Sequence, residues 1–438
     1  MKLKYLIVIL LSLIHSPDLS AKTIHPRKIL KMIRRSTVLN DHFTGFSLYD
    51  LDKRKMIAGQ NADKYFTPAS NTKLFTFYAG LKLLKDSIAG LQFIERGDSL
   101  IFWGTADPSF MNPDFTRQAV QEKLNSSGKR LFWANGFHTG PFYGVGWSYD
   151  DYNEYYQPEI SELPVYGNVI RFSGHNKELF SLPAVNVSGP FSLIRDSITN
   201  SGRYRIRREI LNNDFHQPQA SIPDDFSQIV PFKVHPEIIA GLLKERLPGF
   251  SGTINYSKPA RFNTWNSIPS DTLFRHMLLP SDNFIAEELL LNIAAVNGLE
   301  MNTSVVIDHV IKQFFAGLPD KPVWVDGSGL SRQNLFTPRT MVKLCEMIYD
   351  EIGDQERLFN LLPQGGKTGT LKNLYKGDKP FVFAKTGSLS NNYNQSGFLI
   401  TRSGQKLIFS FMNNNYVSSS AQVRSEIERI ITYLHQNY

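Results

Sequence analysis

At 438 residues, 42% hydrophobic and 20% charged, the chain is long enough for two or three folded domains and carries no low-complexity tract. Its formal charge of +8 is modest for this length. The basic residues are scattered, without a zinc-ligand pattern or an aromatic RNA-binding motif, which argues against a nucleic-acid partner. The single cysteine, Cys345, rules out an intrachain disulfide.

Lys2 and Lys4 precede an apolar run from Tyr5 to Ile14, interrupted only by Ser12. A run of about ten residues suits a secretory signal, whereas a spanning helix needs about twenty. The expectation is a signal peptide over residues 1–21, cleaved after Ala21, and an exported protein of the periplasm or cell envelope. An uncleaved anchor is the alternative. No cysteine follows the run, so lipid attachment there is excluded.

Gly45 to Asp50 and Lys55 to Ala58 read as strands joined by the turn Leu51 to Arg54. Tyr65-Phe-Thr-Pro-Ala-Ser70 then leads into Asn71 to Lys85, where Leu74, Phe77, Tyr78, Leu81 and Leu84 recur at helical spacing. Between residues 90 and 263 the character changes. Short β-like runs (Ser99 to Trp103, Val169 to Phe172, Ala184 to Val187) alternate with Gly, Pro, Asn and aromatic clusters, predicting a β-rich insert with a possible nested subdomain near 171–259. Helical patterns return at Phe284 to Asn297, Thr303 to Ala316 and Thr337 to Ile352. Cys345 falls within the last and reads as a small buried hydrophobe. Phe381 to Lys385, Gln395 to Thr401 and Lys406 to Met412 read as three strands, followed by a helix over Ser420 to Gln436. An N-terminal hairpin plus three C-terminal strands predicts an α+β fold. Its five-stranded antiparallel sheet is flanked by helices, in a discontinuous domain formed by residues 22–89 and 264–438.

Three short motifs carry chemistry together. Ser70-Asn-Thr-Lys73 sets a hydroxyl and an amine on one face of a helix start, where free backbone N–H groups are also found. That combination suits an acyl-accepting serine: a base in reach and a donor for the developing oxyanion. Ser281-Asp-Asn283 brings a second hydroxyl and a carboxamide to another helix start. Lys385-Thr-Gly387 ends a strand, where an ammonium and a hydroxyl suit a substrate carboxylate. Each string has further copies. Ser126 to Lys129 lies in a polar stretch, Ser403 to Lys406 at a hairpin turn, Ser390 to Asn392 in a loop, and Lys367-Thr-Gly369 after the loop Pro363-Gln-Gly-Gly366. Only Ser70, Ser281 and Lys385 stand in the right local setting and chain order.

Around this triplet the sequence resembles the low-molecular-mass class C penicillin-binding proteins, the D-Ala-D-Ala carboxypeptidase/endopeptidase family. The resemblance extends to Asp326-Gly-Ser-Gly-Leu-Ser-Arg332 with Thr337-Pro338, and to Ala384-Lys-Thr-Gly-Ser-Leu389. It also takes in Ser281-Asp-Asn-Phe-Ile-Ala-Glu-Glu-Leu289, Gly104-Thr-Ala-Asp-Pro-Ser109 and Gly146-Trp-Ser-Tyr-Asp-Asp151. It implies a serine β-lactamase/transpeptidase-like fold and a serine peptidase of peptidoglycan stem peptides ending in D-Ala-D-Ala, acylated and inhibited by β-lactams, with no metal or cofactor. By the same resemblance Ser70 is acylated and Lys73 takes its proton. Ser281 relays a proton to the leaving group, Asn283 orients Lys73, and Lys385 with Thr386 binds the terminal carboxylate. The backbone N–H groups of Ser70 and Ser388, beside Gly387, form the oxyanion hole. Trp147, Asp150, Tyr155 and Arg332 are expected to line a pocket for the diaminopimelate side chain.

Two other functions stay in view. A secreted β-lactamase needs a deacylating glutamate; the string Glu288 to Asn292 has the form but follows Asn283 directly on its helix. An inactive wall-binding scaffold is the second, although every motif position is intact. Carboxypeptidase and endopeptidase action are not separable in the sequence.

Overall fold

The computed structural model describes residues 24–185, 190–197 and 203–438. The expected signal segment lies outside them, and the expected strand Ala184 to Val187 lies partly outside, with no strand at 184–185.

The two ends of the chain build one antiparallel sheet in the order Val382–Leu389, Asn392–Ile400, Lys406–Asn414, Phe43–Asp50, Lys55–Gln60. Side chains alternate across a strand. Phe383, Phe398, Ile408 and Met412 therefore pack into a core on one face, and Val382, Leu399, Leu407, Phe409 and Phe411 into a core on the other. The first face carries the helices Lys73–Leu83, Asn283–Asn297 and Pro338–Ile352; the second carries Pro26–Arg35 and Ser420–Asn437. Caps fix where these helices start. Asp282 accepts from the Ile285 N–H, Thr337 from the Thr340 N–H, and Ser419 and Gln422 form a capping box. Gly298 and Gly353 end two of them in the left-handed region, which glycine enters at least cost. Cys345 is buried in the first core and its thiol is pushed up to about 12 by burial.

The insert holds a second five-stranded sheet, Phe250–Ile254, Arg130–Ala134, Ser99–Gly104, Ser87–Arg96 and Asn263–Pro269, in which the two pairs involving Arg130–Ala134 are parallel. Two small three-stranded sheets lie between residues 169 and 231, and their Ile170, Phe172, Phe215 and Val230 share one core with Leu91, Phe102 and Trp133 of the larger sheet. The expected limits at 89/90 and 263/264 fall within Ser87–Arg96 and Asn263–Pro269, which pair with each other. We therefore propose that the insert spans Ser87 to Pro269. The nested unit expected near 171–259 shares its core with this sheet, and Phe250–Ile254 is one of the sheet's strands.

Candidate active site

Ser70 lies in a tight 3-10 turn, Ala69–Thr72, and Lys73 opens the helix that follows. The Lys73 ammonium donates to Ser70 Oγ at 3.1 Å, to Asn283 Oδ1 at 2.6 Å and to the Ser328 carbonyl at 2.7 Å. It is wholly buried, and burial lowers its pKa from 10.5 to about 8 despite the opposing negative charges of Asp282, Asp326 and Glu287. Asn283 in turn donates through Nδ2 to the Tyr156 carbonyl at 3.0 Å, so one carboxamide joins the lysine to the insert.

Lys385, on the edge strand Val382–Leu389, donates to Ser281 Oγ at 2.7 Å and to its neighbour's carbonyl, Thr386 O, at 2.8 Å. Burial, and then the nearby Lys73, push its pKa well below the usual lysine value. The Thr386 hydroxyl is held by Thr370 Oγ1 at 2.8 Å. Gly387 lies against the serine turn. A Cβ there would sit 2.4 Å from Pro68 O and 2.9 Å from Ser70 N, so only glycine lets the strand come this close. Ser388 is exposed at the end of the strand. Lys367, in the second Lys-Thr-Gly string, is exposed on a loop.

Strain gathers at the two serines. Ala69 and Ser281 both take positive φ, 49° and 68°, although neither is glycine. Such conformations cost about 1–3 kcal/mol each and persist only where surrounding contacts impose them. Part of that enforcement comes from Gly329, where a Cβ would lie 1.9 Å from Ala69 O.

The Asp326 to Ser331 element holds the Lys73 acceptor in place. Buried Asp326 accepts from Gly329 N (2.8 Å), Ser331 N (2.7 Å), Asn334 Nδ2 (2.7 Å) and Trp147 Nε1 (2.8 Å). Glu287 accepts from Gly327 N (3.0 Å) and Ser328 N (2.7 Å). Burial, reinforced by Asp326, pushes the Glu287 carboxyl up to about 8. Sequence reasoning did not assign Ser328 or Glu287. The Ser328 acceptor is a backbone carbonyl, which no side-chain pattern reports. The signal for Glu287 was the pair Glu287-Glu288 inside an otherwise apolar helix. Asp326→Ala strands four donors, two of them backbone, and is expected to lower stability by about 3–5 kcal/mol. The shift of the urea unfolding midpoint measures it, and a loss below about 1 kcal/mol would contradict this role.

Of the expected side-chain pocket, Trp147 is committed to Asp326. Asp150 is exposed and accepts from Ser148 Oγ, Arg332 donates to the Ser390 carbonyl at 3.1 Å, and Tyr155 is 65% exposed. Among the described residues no hydrogen bond joins any two of these four. Glu288 and Asn292 are buried and engaged elsewhere: Glu288 accepts from Ser161 N, and Asn292 donates to the Ala89 and Thr105 carbonyls, tying the helix to the insert.

The chain is similar to known peptidases in sequence and fold. The chain is 24% identical over 436 residues to D-alanyl-D-alanine carboxypeptidase DacB of Haemophilus influenzae, covering 90% of each. It is 30% identical over 158 residues to carboxypeptidase DacB of Mycolicibacterium smegmatis, 34% of each chain. The crystal structure of penicillin binding protein 4 from Haemophilus influenzae superposes with a TM-score of 0.73 at 19% identity, covering 94% of this chain and 100% of that one. A predatory peptidoglycan endopeptidase from Bdellovibrio bacteriovorus shares the fold at a TM-score of 0.52 and 14% identity, covering 89% and 92%. The family profile of the D-Ala-D-Ala carboxypeptidase 3 (S13) family matches residues 27–204 and 252–438, both ends of the chain and most of the insert. The chain belongs to that family.

Proposed function

We propose that the protein is a serine-type D-Ala-D-Ala peptidase of peptidoglycan stem peptides, working through an acyl-enzyme on Ser70. The observation that carries the reading is the wholly buried Lys73 amine, 3.1 Å from Ser70 Oγ with its pKa lowered to about 8. An amine so tuned is neutral often enough near neutral pH to accept the hydroxyl proton as the oxygen attacks.

Ser70 Oγ forms a bond to the carbonyl carbon of the penultimate D-alanine while its proton passes to Lys73. The charge that develops on the carbonyl oxygen is met by the N–H groups of Ser70 and Ser388. The C–N bond then breaks, and the departing amine takes a proton through Ser281, which Lys385 contacts. Water attacks the ester, releases the shortened peptide and restores Ser70. Lys385 and Thr386 receive the terminal carboxylate, whose negative charge offsets the cost of charging a buried lysine. Trp147, which is bound to Asp326, and Asp150, Tyr155 and Arg332 are the candidate contacts for the stem peptide's side chain.

The bacterial relatives named above support a place in the cell envelope. Among the described residues no helix is long and apolar enough to cross a membrane. β-Lactams, which mimic the acylated dipeptide, are expected inhibitors.

The test of this reading is release of D-alanine from a stem pentapeptide, followed by chromatography, in wild type and two lysine variants. Lys385→Ala is expected to lower kcat/KM by at least about 100-fold, since it removes the carboxylate anchor from the site. Lys367→Ala, on its exposed loop, is expected to change it by less than about twofold. No D-alanine release by wild type, or the reverse order of the two variants, would overturn the assignment.

A further inference from the structure

The second Lys-Thr-Gly string reaches the site although its lysine does not. Pro363 to Gly365 lie along the edge strand Val382–Leu389. The Ala384 N–H donates to the Pro363 carbonyl at 3.0 Å, the Gly365 N–H to the Val382 carbonyl at 2.8 Å, and Gln364 bridges to Phe383. Among the described residues no backbone bond carries this pairing past Ala384. The chain turns away at Gly366, whose N–H donates to the Leu371 and Leu374 carbonyls at 3.1 and 2.6 Å. The Lys367 and Thr368 N–H groups both donate to the Gln364 carbonyl at 3.1 Å, and the Thr368 hydroxyl accepts from the Gln364 N–H at 3.2 Å.

This bonded turn delivers the next two residues to the two arms of the site. Gly369 takes a φ of 61°, and a Cβ there would sit 2.8 Å from the Leu279 carbonyl oxygen. Only glycine lets the loop lie so close to the segment that leads into Ser281. Thr370 follows, exposed, with its hydroxyl 2.8 Å from that of Thr386. Thr386 is the donor in that bond, so its only hydroxyl proton is turned toward Thr370. Among the described residues the Thr370 hydroxyl donates to no other group. A carboxylate accepts hydrogen bonds and cannot donate them. One arriving at Thr386 therefore meets a free O–H on Thr370 first, and a second on Thr386 once that hydroxyl rotates.

We propose that Thr370 is a specificity-determining residue, the second hydroxyl of the seat for the substrate's terminal carboxylate. Lys385 supplies the charge there, and the Thr370–Thr386 pair supplies two directed donors. The inference rests on the peptidase reading and adds to its carboxylate seat a residue from the loop 363–371.

Two thioester probes test it, each an N-acyl-D-alanine joined to a thiol leaving group. In one the leaving group is thioglycolate and ends in a carboxylate; in the other it is thioglycolamide and ends in a carboxamide. Thiol release gives kcat/KM for each, and their ratio measures preference for the carboxylate. Thr370→Val is expected to lower that ratio about tenfold, the effect of losing one hydrogen bond to a charged group. Thr370→Ser, which returns the hydroxyl, is expected to restore the ratio to within about twofold of wild type. An unchanged ratio in Thr370→Val overturns the proposal, whether both rates hold or both fall together, because a merely structural loop would slow the two probes alike. A ratio that Thr370→Ser leaves as low as Thr370→Val also overturns it. Failure of the parent reading registers separately, as wild type that neither hydrolyses the thioesters nor takes a penicilloyl group on Ser70.

Discussion

Ser70→Ala is expected to lower D-alanine release by about 10⁶-fold while leaving the protein folded. The loss is large because nothing else in the centre can form the ester. Ser281 has its hydroxyl engaged by Lys385, and Cys345 is buried within the first core. The structural cost is small: the hydroxyl receives one hydrogen bond, from Lys73, worth about 1 kcal/mol. Lys73 keeps Asn283 and the Ser328 carbonyl as partners. Activity assays and urea unfolding on the same preparation check both halves. Residual hydrolysis within about 100-fold of wild type would mean that another group is the nucleophile.

Lys73→Met is the second large effect, expected to slow acylation about 10³-fold, in the range of general-base catalysis. Methionine keeps the volume but removes the amine. Its pH signature distinguishes base catalysis from a purely structural role. Burial lowers the lysine pKa from 10.5 to about 8, and the active form is the neutral amine. The wild-type acylation rate should therefore rise with pH and level off above about 8. At pH 7 about one molecule in ten has the neutral amine. The Met variant, lacking the titrating group, should lose this rise. Stopped-flow acylation by a chromogenic β-lactam between pH 6 and 9 measures it, and a wild-type rate that falls across that window would contradict the role given to Lys73.

The main sheet was legible in the sequence because its C-terminal strands and Phe43–Asp50 are short, mostly buried apolar runs bounded by turn residues, a pattern that local reading detects. The pairing of Ser87–Arg96 with Asn263–Pro269 was not, because the two strands lie about 170 residues apart and such pairing leaves no local mark. The Pro26–Arg35 helix was also missed. It has no side-chain cap and buries only Ile29 and Ile33 along a strongly basic segment. In the site, Ser70, Lys73, Ser281, Asn283 and Lys385 could be chosen because side chains carry their chemistry and local context separated them from their copies. The support behind them depends on backbone groups, the Ser328 carbonyl and the N–H groups of Gly327, Gly329 and Ser331, and these have no residue-type signature. Trp147 was read as a pocket wall; the bond from its indole N–H to Asp326, between segments 179 residues apart, had no sequence signal. Gly387 stood in the sequence as part of a motif. Its physical reason, the 2.9 Å approach of its would-be Cβ to Ser70 N, appears only when the edge strand and the serine turn are seen side by side.

The central claim is that Ser70 accepts the acyl group, and the most direct measurement is intact-protein mass after brief benzylpenicillin treatment, with the adduct mapped by peptide digestion. The account predicts a single added penicilloyl group on the peptide containing Ser70. An adduct elsewhere, or an unmodified protein with the antibiotic left intact, would contradict it.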